Sequence, residues 1–209
     1  MGRNIRYQFA EAQLKLDFIE NYHWKCLSSI ECRYSIDRNR NYASDFQYMT
    51  QTEVVREAEQ LKTELEKETM FNFLACIEAL LRIDYIIRLD KKDKTPLSCF
   101  FRNGFKQSEE LKKRLRKTLE SKKRNNTSTF VTNEKYRVDL CEVIIKGWRE
   151  FFPEEKTCLN LLSDAFKYRN WIAHGRYRHF EDERKYDFLM ILNVVNVFRE
   201  QIVPKLKQL

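Results

Sequence analysis

The stretch MFNFLACIEALLRIDYIIRL, Met70 to Leu89, is apolar on nearly every side of a helical wheel. A helix of that kind must be covered on most of its faces, so it reads as the central core helix of an all-α protein. No glycine or proline lies between Gly2 and Pro96, and the whole chain holds four glycines and three prolines. Turns are therefore rare, and long helices are the natural use of such a chain. Nothing forces a break upstream of Met70 as far as Thr50 or Thr52, either of which can cap the helix with Glu53 in its first turn. Glu53 to Glu68 is strongly charged with few apolar positions, which predicts an exposed or edge helix running straight into the core segment. Four charges sit inside the apolar part. Glu78 with Arg82, and Asp84 with Arg88, stand at i,i+4 spacing and can neutralise one another.

Working outward, Phe9 to Glu31 reads as a first long helix and Cys32 to Tyr48 as its loop, making a long N-terminal helical hairpin with the helix that follows. After the central helix, Asp90 to Lys94 is a charged turn and Thr95-Pro96 restarts the chain. Cys99 to Phe105 reads as an aromatic corner used for packing, Glu109 to Lys123 as a basic helix, and residues 122–134 as a flexible loop. Val138 to Phe152 is an amphipathic helix closed by Pro153. Tyr186 to Val203 is the last core helix, stopped by Pro204. The expectation is one all-α domain over residues 1–209: a helical bundle with core helices at about 51–89, 138–152, 157–175 and 186–203, carrying a basic helical insertion.

The net charge of +8 and pI of about 9.1 favour an acidic partner, nucleic acid ahead of an anionic membrane surface. No apolar run approaches the roughly 20 residues of a membrane span, and the first residues lack a signal-peptide apolar region. The cytosol is the expected compartment. Six cysteines are scattered without a CxxC pair, which reads as reduced, mostly buried thiols. His23, Cys26 and Cys32 lack a fourth ligand, and no metal or cofactor is expected. Gly-rich phosphate loops, HExxH, GxSxG and a Cys-His nucleophile spacing are all missing. The densest positive run, including Lys112, Lys113, Arg116 and Lys117, is either a solvated helix face or a surface that contacts phosphates.

Residues 168–175, Tyr-Arg-Asn-Trp-Ile-Ala-His-Gly, close another apolar helix. On a wheel of roughly 100° per residue, Leu161, Leu162, Ala165, Phe166, Ile172 and Ala173 fall on one arc with Arg169 in its middle. A cation there must be paired or must face a polar cleft, because an unpaired buried charge is strongly unfavourable. His174 closes the last turn and Gly175 supplies the usual stop.

Arg169, four intervening residues and His174, with Asn170 after the arginine and Gly175 after the histidine, resemble the R-x4-6-H signature of the HEPN superfamily. Its members are all-α, and many are metal-independent endoribonucleases of toxin-antitoxin, phage-defence and CRISPR-associated systems. The resemblance implies catalysis by Arg169 and His174, with Asn170 orienting the phosphate or the imidazole. It also implies an acidic residue from a preceding helix beside the arginine, for which Glu78 is the position carried over and Asp84 fits nearly as well. Arg176 and Tyr177 would contact substrate, together with the basic run. HEPN ribonucleases are typically homodimers in which two motifs meet in a composite cleft, and an antitoxin or sensor protein is a further implied partner. One HEPN toxin subgroup, modified on a tyrosine by its antitoxin, carries that tyrosine two residues after the histidine. Here Arg176 holds that place, which argues against such regulation.

RNA cleavage suits an arginine and a histidine because the 2'-hydroxyl is an internal nucleophile. What remains is proton transfer, for which an imidazole with pKa near ~6.5 is suited, and charge stabilisation, for which a guanidinium is suited. Residues five apart on a straight helix point roughly 140° away from each other, so Arg169 and His174 share one site only where the helix ends or across a subunit interface. The alternative is a non-catalytic helical module that binds RNA or a partner protein, with Arg169 paired to Glu78 in the core and His174 serving as a helix cap.

Overall fold

Thr50 is the residue that starts the longest helix. Its hydroxyl accepts from the Glu53 backbone N–H at 3.3 Å, while Glu53 Oε2 accepts from the Thr50 N–H at 2.7 Å, a reciprocal capping box. From there α2 (Gln51–Asp90) runs unbroken for 40 residues. In the computed structural model residues 5–35, 46–91, 94–120, 138–173 and 186–207 are described, without the side chains of 5–14, 108, 109 and 111–120. No strand occurs among the described residues, and the fold is an all-α helical bundle.

The two surfaces expected along α2 are both present. Before Thr69 its buried side chains are Val54 and Ala58 alone, whereas Met70, Phe73, Leu74, Ile77, Leu80 and Leu81 beyond it are all buried. The other elements wrap this second half. They are α1 (Ile5–Tyr34), α3 (Pro96–Glu120), α4 (Lys146–Phe151), α5 (Lys156–Ala173) and α6 (Phe188–Val197), and each feeds one continuous apolar core around Ile77, Leu81, Trp148, Leu162 and Val195. Burying large aliphatic and aromatic groups at roughly 1.5–3 kcal/mol each is what drives the wrapping.

α1 lies along α2 as the expected hairpin, reaching further at both ends than apolar periodicity alone indicated. Its described part buries only Leu16 and His23, so polar contacts hold much of it. Arg199 donates to Glu20 at 2.6 Å and lies 3.2 Å from Asp17. The His23 ring stacks on Phe188 at 4.0 Å, with Nδ1 2.9 Å from Thr69 Oγ1. Because the Thr69 hydroxyl itself donates to the Leu65 carbonyl at 2.7 Å, His23 Nδ1 is the donor of that pair.

Several expectations are corrected. The aromatic segment 99–105 is not a corner: α3 runs straight through it, because Phe101 packs on Tyr85 and Phe100 on Phe151, and space around Gly104 is open. The basic helix is thus the distal part of α3 and not a separate element, and residues 122–134 lie outside the described residues. Residues 138–152 are a π-helical segment (Leu140–Ile145) followed by α4, begun by Asp139, whose Oδ1 accepts from the Glu142 N–H. At Gly147 a Cβ would stand 2.5 Å from the Phe101 ring, so only glycine allows α3 and α4 so close. The last helix gives way to a π-helical segment at Phe198, well before Pro204, which sits inside a final 3-10 turn (Val203–Lys205). Only Cys76 and Cys158 are buried, burial pushing each thiol up to about 11; Cys26, Cys99 and Cys141 are half-buried and Cys32 is exposed. No helix of the described residues is long and apolar enough to cross a membrane.

Asp84 and Arg88 are both buried, with Nε to Oδ2 at 2.8 Å. Asp84 also accepts from the Lys207 N–H at 2.7 Å, and Arg88 donates to the Lys205 carbonyl, which ties the chain's last turn to α2. Arg88→Met leaves a buried carboxylate without its cation and should cost about 3–5 kcal/mol in urea unfolding, while Asp84→Asn in the same chain recovers part of that loss. Burial holds the His23 imidazole below its ordinary pKa. The unfolded chain therefore binds a proton near pH ~6.5 before the folded one does, so this contribution is whole above that pH and is lost as pH falls toward the folded value. Melting curves between about pH 7 and 5 should drop more steeply for the wild type than for His23→Gln.

Candidate functional site

Two helices that pass in opposite directions build the site. Ile172 and Ala173, at the end of α5, share an open groove of 320 Å³ with Glu64, Lys67, Glu68 and Phe71 of α2. Arg169, one turn earlier on α5, meets Glu78, further along α2. The Arg169 Nη2 contacts Glu78 Oε2, and from the other side Arg82 Nε donates to Glu78 Oε1 at 2.7 Å. A second donor of Arg82, Nη1, reaches the Val138 carbonyl at 3.0 Å, at the entry to the π-helical segment. One carboxylate is thus shared by two guanidiniums, one of which is anchored to backbone. The i,i+4 pairing with Arg82 and the cross-helix pairing with Arg169 coexist, on separate oxygens. Asp84 does not compete for Arg169, because Arg88 and the Lys207 N–H occupy it.

Arg169 is about four-fifths buried and its guanidinium lies 5.9 Å from the centre of the Phe166 ring. Its Nε is buried and has no hydrogen-bond partner among the described residues. Desolvation lowers the pKa of both Arg169 and Arg82, yet a guanidinium starts so high that each stays charged at neutral pH. The cluster lies half-buried at the bundle edge, with Asp139 adding a second negative charge near Arg82.

The aromatic residues of α5 hold its last turn. Tyr168, 1% exposed, stacks on Trp171 at 5.6 Å and on Tyr186 at 5.0 Å. Its i,i+3 spacing from Ala165 was a visible signal, but a tyrosine beside an arginine reads as polar surface. Two members of the expected apolar arc differ: Leu161 and Ala173 are exposed, while Leu162, Ala165 and Phe166 are buried as expected. Asn170 is exposed beside Arg169. His174, Gly175, Arg176 and Tyr177 lie outside the described residues. Lys112, Lys113, Arg116 and Lys117 lie on the described backbone of α3, but their side chains are outside the description. Of the expected site, then, Glu78, Arg169 and Asn170 are placed, and Arg82 joins them.

Comparison with protein-family models, with curated proteins and with solved structures finds no match for this chain.

Replacing Glu78 removes the anion between two half-buried cations. Glu78→Gln should lower stability by about 1–3 kcal/mol in urea unfolding, and Glu78→Gln with Arg169→Met should lose less than the two single losses added together, since the pair is one coupled unit.

Proposed function

We propose that this chain is a metal-independent endoribonuclease of the HEPN type, working as a homodimer in the cytosol as a toxin or antiviral defence effector. The observation that supports this reading most is the charged, largely buried Arg169 on the last described turn of α5, oriented by Glu78 from α2 and flanked by an exposed Asn170. Arg169 would neutralise charge on the non-bridging phosphoryl oxygens, an interaction that strengthens as that charge grows. His174 would move the protons. The 2'-oxygen attacks phosphorus as its proton leaves, the P–O2' bond forms, the P–O5' bond breaks, and the departing 5'-oxygen takes a proton. The products are a 2',3'-cyclic phosphate and a 5'-hydroxyl. Two copies of the motif in one cleft would supply separate imidazoles for the base and the acid. Lys112, Lys113, Arg116, Lys117, Arg176 and Tyr177 would hold the RNA, largely through phosphates and without regard to sequence.

A second reading has its own support in the pairing of Arg169 with Glu78. A guanidinium already holding a carboxylate is also what a purely structural pair looks like, and the chain would then be an RNA-binding or partner-binding module.

Labelled RNA incubated in excess EDTA separates the two. The nuclease reading expects cleavage to cyclic-phosphate ends, reduced by about 10²–10⁴-fold in His174→Ala with the melting temperature unchanged. Intact RNA shifted in a gel, with binding indifferent to His174→Ala, sinks the nuclease reading and leaves the module.

A further inference from the structure

Two aromatic side chains of α1 stand outside the core. Phe18 and Tyr22 are 66% and 52% exposed and lie on each other as near-parallel rings, 6.1 Å apart between centres and 16° between planes. On a wheel of roughly 100° per residue they share an arc of about 80° with Lys15 on one side and Lys25 on the other, the lysines standing about 15 Å apart along the axis. All four are exposed. An open groove of 240 Å³ runs beside the rings, between α1 and α2, where Leu65, Glu68 and Asn72 line its α2 side. Glu68 also lines the groove at the end of α5, so the two grooves adjoin where Ile172 and Ala173 lead toward His174.

Flat exposed rings between two cations suit a single strand of nucleic acid, because every base has a π face to stack and phosphates require only positive charge. A protein partner fits less well. The two rings together expose roughly 250 Å², against the roughly 800 Å² per partner that a stable protein interface covers. On the α2 side a carboxylate and an amide suit base edges, since Glu68 accepts from base N–H groups and repels phosphates. We propose that this stripe of α1 is a stacking subsite for single-stranded RNA, in which Phe18 and Tyr22 take the bases that extend from the Arg169 site and Lys15 and Lys25 hold their phosphates. This rests on the reading that RNA binds at Arg169 and His174. From Glu78 to Leu65, α2 rises about 20 Å, so a strand reaches the rings only after several nucleotides.

The test measures affinity for two 2'-O-methyl RNAs, which have no free 2'-hydroxyl and so report binding apart from cleavage. A trinucleotide stays at the Arg169 site, and an octanucleotide reaches the stripe. Phe18→Ala/Tyr22→Ala should weaken octanucleotide binding about tenfold or more and leave trinucleotide binding unchanged, with a melting temperature near the wild-type value because neither ring is in the core. Phe18→Trp should keep the octanucleotide affinity, and Phe18→Leu, apolar but without a π face, should lower it. Lys25→Gln should reduce the slope of log affinity against log salt by about 0.7 for the octanucleotide. Wild-type octanucleotide affinity in Phe18→Ala/Tyr22→Ala, or in Phe18→Leu, overturns the proposal. So does a dimer that dissociates in Phe18→Ala/Tyr22→Ala while octanucleotide affinity holds, which makes the patch a contact between copies of this chain. Failure of the wild-type protein to bind either RNA overturns the reading of Arg169 and His174 as an RNA site and the subsite with it, a result distinct from failures confined to the α1 variants.

Discussion

An apolar helix that must be covered on most sides is the constraint on which this structure depends. Residues 70–89 of α2 bury Phe73, Leu74, Ile77, Leu80 and Leu81 to the last few per cent of their surface. No single neighbour can do that, so α1, α3, α4, α5 and α6 each take a part of the circumference. The close approach at Gly147, where the Phe101 ring occupies the space a side chain would need, is a consequence of fitting so many elements around one axis. Close packing of this kind turns small volume changes into stability changes.

The same helix carries four charges, and covering them divides them by function. Asp84 and Arg88 lie in the sealed part, where Arg88 also passes 5.4 Å from the Trp148 ring, and their remaining hydrogen bonds go to the backbone of the C-terminal turn. Such a pair fixes where the chain's last turn docks, because each partner is strongly unfavourable without the other. Glu78 and Arg82 lie one face away, at the edge where α5 crosses, and there one carboxylate serves two guanidiniums. Within the described part of α2, then, one ion pair completes the core and the other meets α5.

Charge is also distributed unevenly along the chain. The outer half of α2 carries Glu53, Glu57, Glu59, Glu64, Glu66 and Glu68, while the run from Lys112 to Arg124 is basic. Crowding is enough to raise the Glu66 pKa, through burial first and through Asp187 and Glu59 after it. The Glu78 cluster stands beyond the acidic half of α2.

How much of this was legible in the sequence follows from the range of the forces involved. The length and course of α2, its capping at Thr50, its exposed and buried halves and the pairing partners of Arg82 and Arg88 are all set by interactions reaching no further than four residues, so periodicity and spacing reveal them. The continuation of α3 through the aromatic segment was not legible, because the contacts of Phe101 with Tyr85 and of Phe100 with Phe151 cross between elements distant in the chain. Nor were the π-helical segments at Leu140–Ile145 and Phe198–Ile202, where packing overrides the ordinary helical repeat. In the site, the residue types and their places on α2 and α5 came from the sequence alone. That Glu78 and not Asp84 meets Arg169, and that Arg82 holds the other oxygen, was decided by the crossing of two helices, since a side chain's partner across an interface depends on rotations and offsets that no local pattern encodes.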